Sequence, residues 1–181
     1  MPKQMRLIRG KNAKTVNGLV ADEVISMLQK AIRRGLEEGC VDAAYELYLT
    51  SSELEHVMWR RLIMIAMEDI GFGDIRSAAI VYAYYQAKDL YDRDNGDRQL
   101  PFIQMIRYLC RCPKERSSSY YQNLEAMKFD RGYKIDIPDY ALDKHTKRGK
   151  RNGQGYNVLL HRMATGYIQN MKMKKTYIQK H

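Results

Sequence analysis

The residues with the most chemistry to offer lie between positions 144 and 156. There Lys144-His145-Thr146-Lys147-Arg148-Gly149-Lys150-Arg151-Asn152-Gly153-Gln154-Gly155-Tyr156 packs five cations and three glycines into thirteen residues. Cations attract phosphates, and glycines let backbone N–H groups approach them, so the expected chemistry is contact with a nucleic-acid backbone. Lys172, Lys174 and Lys175 continue the basic character toward the end of the sequence. A merely solvated loop is the alternative. The Gly153-x-Gly155 pair is no dinucleotide fingerprint, because the preceding strand and the third glycine are missing.

Few other residues have a spacing that suits chemistry. Cys110-x-Cys112 with His145 and His161 brings together zinc-type ligands, but the spacing is that of no known finger and both cysteines sit in a helical pattern where burial accounts for them. No metal site is assigned. His56 and His181 lack the sequence neighbours from which a triad could be read. The chain contains no Gly-x-x-x-x-Gly-Lys-Ser/Thr phosphate loop. No cofactor and no catalytic residue is therefore expected, and a non-enzymatic role is. Tyr82, Tyr84, Tyr85, Tyr120 and Tyr121 could stack on bases, although tyrosines at helical spacing more often fill a core or a subunit interface.

The positioning elements are organised around Trp59 to Asp74, read as Trp-Arg-Arg-Leu-Ile-Met-Ile-Ala-Met-Glu-Asp-Ile-Gly-Phe-Gly-Asp. Met58, Leu62, Ile65 and Ala66 recur at three- and four-residue steps, which predicts a buried helix, and Gly71 stands where such a helix ends in the left-handed conformation. Arg60 and Glu68 fall two turns apart on one face, and Arg61 and Asp69 on the next. Charges beside a core need partners, so an ion network within the chain or between subunits is expected here rather than catalysis.

Arg60-Arg61-Leu62, then Ala66, then Glu68-Asp69-Ile70-Gly71 with Asp74 closely resembles a signature of the C-terminal helical domain of the RarA/MgsA family. These are clamp-loader-like AAA+ ATPases that include bacterial replication-associated ATPases and the eukaryotic Werner-helicase-interacting protein. Upstream, Ile25-Ser26, Leu28-Gln29-Lys30, Ile32-Arg33 and Asp42-Ala43-Ala44 are similar to the family's first two helices of this region. Downstream, Pro113-Lys114, Tyr120, Ile137-Pro138, Asp143, His145, Lys147, Gly149, Gly153, Gly155-Tyr156 and His161 follow the family's order. The resemblance covers roughly residues 20 to 170. It departs from the pattern at Glu115-Arg116-Ser117, where the family has an asparagine after Pro-Lys. It departs again at Arg162-Met163-Ala164, where the family has an acidic residue and a proline turn.

The resemblance implies an oligomerisation and DNA-association module, tetrameric in the family and linked to replication forks and recombination. Arg60, Arg61, Glu68 and Asp69 are then the expected oligomerisation residues. Lys144, Lys147, Arg148, Lys150, Arg151, Lys172, Lys174 and Lys175 are the expected nucleic-acid-binding ones. The expected partners are double-stranded or fork DNA, further copies of the chain as a dimer or tetramer, and a host replication protein. The alternative is a phage- or mobile-element-encoded inhibitor (an anti-CRISPR) that binds DNA or a host DNA-acting complex such as a Cas9-type effector.

Length and charge bound these readings. A chain of 181 residues is the size of one domain, able to bury about 70% of its unfolded surface. The net charge of +10 is unevenly spread. Residues 1–20 carry five Lys/Arg and no acid, residues 21–100 nine against fifteen, and residues 101–181 seventeen against six. Basic ends around an acidic middle point to a polyanionic partner. An odd count of three cysteines, Cys40, Cys110 and Cys112, fits a reducing cytoplasm better than a disulfide framework. No run approaches the roughly 18 apolar residues of a membrane span.

The periodicity predicts an all-α, compact multi-helix bundle with a basic, glycine-containing, irregular C-terminal segment. Residues 1–20 are expected to form a flexible basic arm, 21–130 the helical core and 131–181 the basic segment of one domain. Asp22 is expected to cap the first helix, which ends near Gly39. Thr50 to Glu53 offers caps for the central helix, and Asp74 for the next. An Asn95-Gly96 turn, a helix opening at Pro101 and stopped by Pro113, and a helix over Ser117 to Met127 complete the core.

Overall fold

A computed structural model of the chain describes residues 13–94 and 96–151. Among them are seven α-helices and no strand: α1 (Ala21–Arg34), α2 (Glu37–Thr50), α3 (Ser52–Ile65), α4 (Ser77–Ala87), α5 (Gln99–Arg111), α6 (Ser117–Asp130) and α7 (Lys147–Arg151). The fold is all-α, as the periodicity predicts. None of these helices is long and apolar enough to cross a membrane. The chain divides into two units, Met1–Met127 and Lys128–His181.

The first unit is built from amphipathic stripes. Val24, Ile25, Leu28, Ala31 and Ile32 are the buried side of α1, and Cys40, Ala43, Ala44, Leu47 and Tyr48 that of α2. Among the described residues these two helices form the most extensive pair. Met58, Trp59, Leu62 and Ile65 of α3 and Phe102, Ile106 and Leu109 of α5 complete the core, each fully or almost fully removed from water. Burying each large apolar side chain contributes about 1.5–3 kcal/mol. Tyr45, Tyr48 and Phe102 meet at ring-centroid separations of 5.4–6.1 Å, so an aromatic cluster joins α2 to α5.

Helix ends follow local chemistry, and the first helix differs from expectation at both of its ends. The first helix begins without a side-chain cap: Val20 occupies the cap position, and Asp22 lies in the first turn, where its charge favours the positive end of the helix. It also stops earlier, at Gly35. There φ is +72° and the N–H groups of Gly35 and Leu36 close on the carbonyls of Ile32 and Ala31, leaving Gly39 inside α2. Ser51 caps α3 as expected, its hydroxyl accepting from Leu54 N–H at 3.2 Å. Pro101 lies in the first turn of α5, which stops at Arg111 before Pro113.

Of the expected basic arm, residues 13–20 are described. Lys14 pairs with Val20 in an isolated bridge, Val16 N–H donates to Thr50 Oγ1 at 3.0 Å, and Asn17 Nδ2 donates to Glu46 Oε2 at 2.6 Å. Residues 13–20 are thus tied to α2. The turn expected at Asn95 lies outside the described residues, as do residues 1–12 and 152–181.

In the second unit, Gly132 at φ +81° ends α6, and Phe129 and Tyr133 pack edge to face at 5.6 Å. Residues 133–138 run without helix, followed by a short 3₁₀ turn, Asp139–Ala141. The basic segment was expected to be irregular, but Lys147–Arg151 form the helix α7.

Candidate functional site

Two groups of residues position the expected chemistry, one in each unit. The first is the Glu68–Asp74 signature. After α3 the chain does not stop but widens into a π turn, Ala66–Ile70, followed by a 3₁₀ turn, Gly71–Gly73. The π turn changes which way Glu68 and Asp69 face relative to α3. Asp69, with a fully buried side chain, is held by Arg33 of α1 at 2.6 Å and by Arg116, just before α6, at 3.1 Å. Glu68 lies 3.7 Å from Arg33 and 3.4 Å from Arg116. Gln29 Nε2 donates to Glu68 Oε2 and to Asp69 Oδ2, both at 3.0 Å, and Arg61 Nη1 reaches Gln29 Oε1 at 3.4 Å.

The Arg61–Asp69 pairing read from the helical repeat is therefore corrected: Asp69 takes arginines from two other elements, and Arg61 is one residue removed, through Gln29. The network is intrachain. A carboxylate sealed between two guanidinium groups is a charge-assisted structural tie, and removing one partner would leave charge uncompensated. Arg60 is exposed on α3.

The same turn docks the segment that leads into α6. Asp69 C=O accepts from Glu115 N–H at 3.0 Å, and Glu115 Oε2 accepts from Phe72 N–H at 3.3 Å. A Cβ on Gly71 would lie 2.6 Å from Glu115 O, and one on Gly73 would lie 2.2 Å from Pro113 O. Both glycines thus allow backbone-on-backbone contact, and Gly71, at φ +50°, also turns the chain. Asp74 then accepts from Arg76 N–H and Nε at 3.1 and 3.0 Å and from Tyr108 OH at 2.7 Å. The Arg76 guanidinium, helped by the Tyr108 hydroxyl, holds the Asp74 carboxyl far below the usual carboxylate range. Asp74, expected to cap the next helix, instead opens the turn before it: α4 starts at Ser77, with Arg76 in the cap position and no side-chain cap.

A second buried ion cluster has no precedent in the sequence reading. Glu55 of α3 is buried between Arg98 at 3.0 Å and Arg93 at 3.3 Å. Arg93 also donates to the Tyr48 carbonyl, and the Tyr48 hydroxyl to the Arg93 carbonyl. Arg93 and Arg98, the latter in the 3₁₀ turn Gly96–Arg98 that leads into α5, lie 38 and 43 positions on from Glu55, and nothing local in the sequence announces them.

The basic segment is built on a cap. Asp143 Oδ1 accepts from His145 N–H at 2.9 Å and Thr146 N–H at 3.2 Å, and Thr146 Oγ1 accepts from Gly149 N–H at 3.0 Å. Thr146 is thus the N-cap of α7. Gly149 is buried, and a Cβ there would lie 1.9 Å from Asp143 O. This glycine was read as freeing a backbone N–H for phosphate, but its N–H is already used, and its missing side chain makes room for a carbonyl. Around it Lys147, Arg148, Lys150 and Arg151 are exposed, and Lys144 is half-buried. Lys172, Lys174 and Lys175 lie outside the described residues.

The remaining candidates have packing roles or stand exposed. Tyr85 joins Trp59, Tyr82 and His56, its hydroxyl 3.0 Å from His56 Nδ1. Tyr120 and Tyr121 are exposed on α6, with Arg116 stacked over Tyr120 at 5.5 Å. Cys110 Sγ lies 3.5 Å from Cys40 Sγ. Among the described residues no three His, Cys, Asp or Glu side chains converge as metal ligands would.

Residues 42–181 match the family described as the MgsA AAA+ ATPase C terminal. Over 130 residues the chain is 28% identical to the replication-associated recombination protein A of Haemophilus influenzae, an alignment that spans 72% of this chain and 27% of that protein. The chain thus spans about a quarter of the length of this relative. Nothing in these likenesses points to a Cas9-type effector as a partner.

Proposed function

We propose, from the premise that this chain belongs to the MgsA AAA+ ATPase C-terminal family, that it is a non-enzymatic module that binds duplex or fork DNA and self-associates. The observation that carries the DNA half is the exposed set Lys147, Arg148, Lys150 and Arg151 on one capped helical turn. Four cations within five residues present a compact positive charge to a polyphosphate, and phosphate contacts of this kind give affinity without sequence preference. The +10 net charge of the chain supports the same reading.

Self-association is supported by the surface beside the signature. Arg60, Met64 and Met67 follow one another at helical steps along α3 and the π turn, all exposed. In this proposal Arg60 and Arg61 belong to the contact between copies, and Glu68 and Asp69 hold the turn that shapes it.

The test of the DNA half is a titration of duplex DNA at several salt concentrations. With four to six phosphates contacted, the logarithm of affinity falls with the logarithm of salt at a slope on the order of −4 to −5. Replacing Lys147, Arg148, Lys150 and Arg151 by alanine flattens that slope while helix content stays unchanged. A quadruple variant that binds as well as the parent at every salt concentration removes the proposal.

A further inference from the structure

The cysteines contribute nothing to the DNA-binding reading, yet two of them are in contact. Cys40 stands in the first turn of α2 and Cys110 in the last turn of α5, seventy residues apart in sequence, with their sulfurs 3.5 Å apart. Cys40 is wholly buried and Cys110 is 7% exposed. Glu37 at the start of α2 pairs with Arg111 at 2.6 Å and with Arg107 at 3.1 Å, both of α5, which holds the two ends together. The Cys110 carbonyl is 3.4 Å from where a Cβ on Gly35 would sit, and Lys114 Nζ donates to the carbonyls of Leu109, Cys110 and Cys112 at 2.6–3.0 Å. We propose that Cys40 and Cys110 form a reversible oxidation site, a dithiol that a hydroperoxide converts into a disulfide clasping α2 to α5.

The chemistry needs no group beyond the two thiols and the oxidant. Cys110 is the attacking sulfur, since its residue keeps 7% of its surface exposed where Cys40 keeps none. The contact with the Cys40 thiol lowers the Cys110 thiol against the opposing effect of burial, with the Lys114 ammonium helping, whereas the Cys40 thiol is pushed up by the Cys110 contact and by burial. The Cys110 thiolate attacks one peroxide oxygen: an S–O bond forms, the O–O bond breaks and hydroxide leaves. Hydroxide takes the Cys40 proton. The Cys40 sulfur then attacks Cys110, the S–S bond forms, and the S–O bond breaks to release a second hydroxide. That hydroxide gains the proton the Cys110 thiol gave up when it ionised. Two thiols and hydrogen peroxide become one disulfide and two waters, with two electrons passed from sulfur to oxygen. The sulfurs need to close only from 3.5 Å to about 2.05 Å. A thiol-based reductant reverses the step.

Oxidation would close a loop running from residue 40 to residue 110, which restricts the unfolded chain. The thermal midpoint is expected to rise by roughly 5–15 °C. The experiment treats the full-length protein with a small excess of hydrogen peroxide under native conditions. Expected are a loss of two hydrogens in the intact mass, a Cys40–Cys110 linked peptide in a non-reducing digest, and a raised midpoint that dithiothreitol restores. Cys112→Ser keeps all three. Cys110→Ala abolishes them, and Cys40→Ala serves the same purpose where Cys110→Ala does not fold. The proposal is overturned by a linked peptide that contains Cys112, by links between chains only, by no linkage at stoichiometric oxidant, or by linkage that leaves the midpoint unchanged or lower.

Discussion

Asp69 ties three parts of the first unit together. Its carboxylate joins Arg33 of α1 to Arg116 before α6, and Gln29 completes its bonding. Asp69→Ala leaves Arg33 and Arg116, each about 30% exposed, with Glu68 as their remaining carboxylate at 3.7 and 3.4 Å, so part of each charge stays paired or turns to water. The expected loss is about 3 kcal/mol, the low end for breaking a buried pair. Arg61→Ala removes only a long hydrogen bond to Gln29 and is expected to lose less than about 1 kcal/mol. Urea unfolding of the two variants measures the difference, and equal losses would contradict this ranking. Asp74 predicts a pH dependence. Its folded pKa lies below its unfolded value because of Arg76 and then Tyr108, so its contribution is fully present at neutral pH and is lost as pH falls below about 4. Thermal midpoints recorded from pH 7 to pH 3 should fall less steeply in Asp74→Asn than in the parent.

Among the elements, the π turn and the capped α7 carry the design. The π turn aims Glu68 and Asp69 at α1 and at the segment before α6, and its two following glycines let that segment lie against the backbone. Gly73→Ala sets a methyl against a backbone carbonyl that cannot rotate away. A loss of roughly 1–3 kcal/mol is expected on chemical denaturation, and an unchanged midpoint would show that the segment moves freely. In α7 the cap and the glycine act together. Gly149→Ala keeps every charge but drives a Cβ into Asp143 O. It should unwind the turn and quicken tryptic cleavage at Lys147–Arg151, whereas Thr146→Ala, which loses the cap alone, should weaken the turn by about 1 kcal/mol. Should neither variant change the cleavage rate, the cap does not order the cations.

For the whole molecule, charge and assembly are the testable properties. The basic residues gather at the two ends of the sequence, and four of those described are displayed together on α7. Self-association through the Arg60–Met67 surface predicts a mass above the 21.2 kDa monomer by light scattering at micromolar concentration. The double substitution of Arg60 and Arg61 by alanine should lower that mass without lowering the free energy of unfolding by more than about 1 kcal/mol. A parent that scatters as a monomer removes the self-association proposal and leaves the DNA proposal to its own test.

The sequence by itself determined the helical class and most element positions, because amphipathic stripes such as Val24–Ile32 and Met58–Ile65 repeat at the helical period whatever they pack against. Gly71, Ser51, Pro101 and Pro113 could likewise be read locally, since each constrains only its own backbone or its near neighbours. The family signature was also legible, down to the glutamate–aspartate pair. Only the tertiary structure decided what that pair does. The partners Arg33 and Arg116 lie 36 and 47 positions from Asp69, and a charge's partner is chosen by where the chain returns, not by helical phase. The same holds for Glu55 with Arg93 and Arg98, and for Cys40 with Cys110. Gly149 was visible as a glycine in a basic run, but its role depends on a carbonyl 1.9 Å from where a Cβ would stand. Local periodicity carries secondary structure because it arises from neighbours along the chain, and the ties between elements arise from neighbours in space.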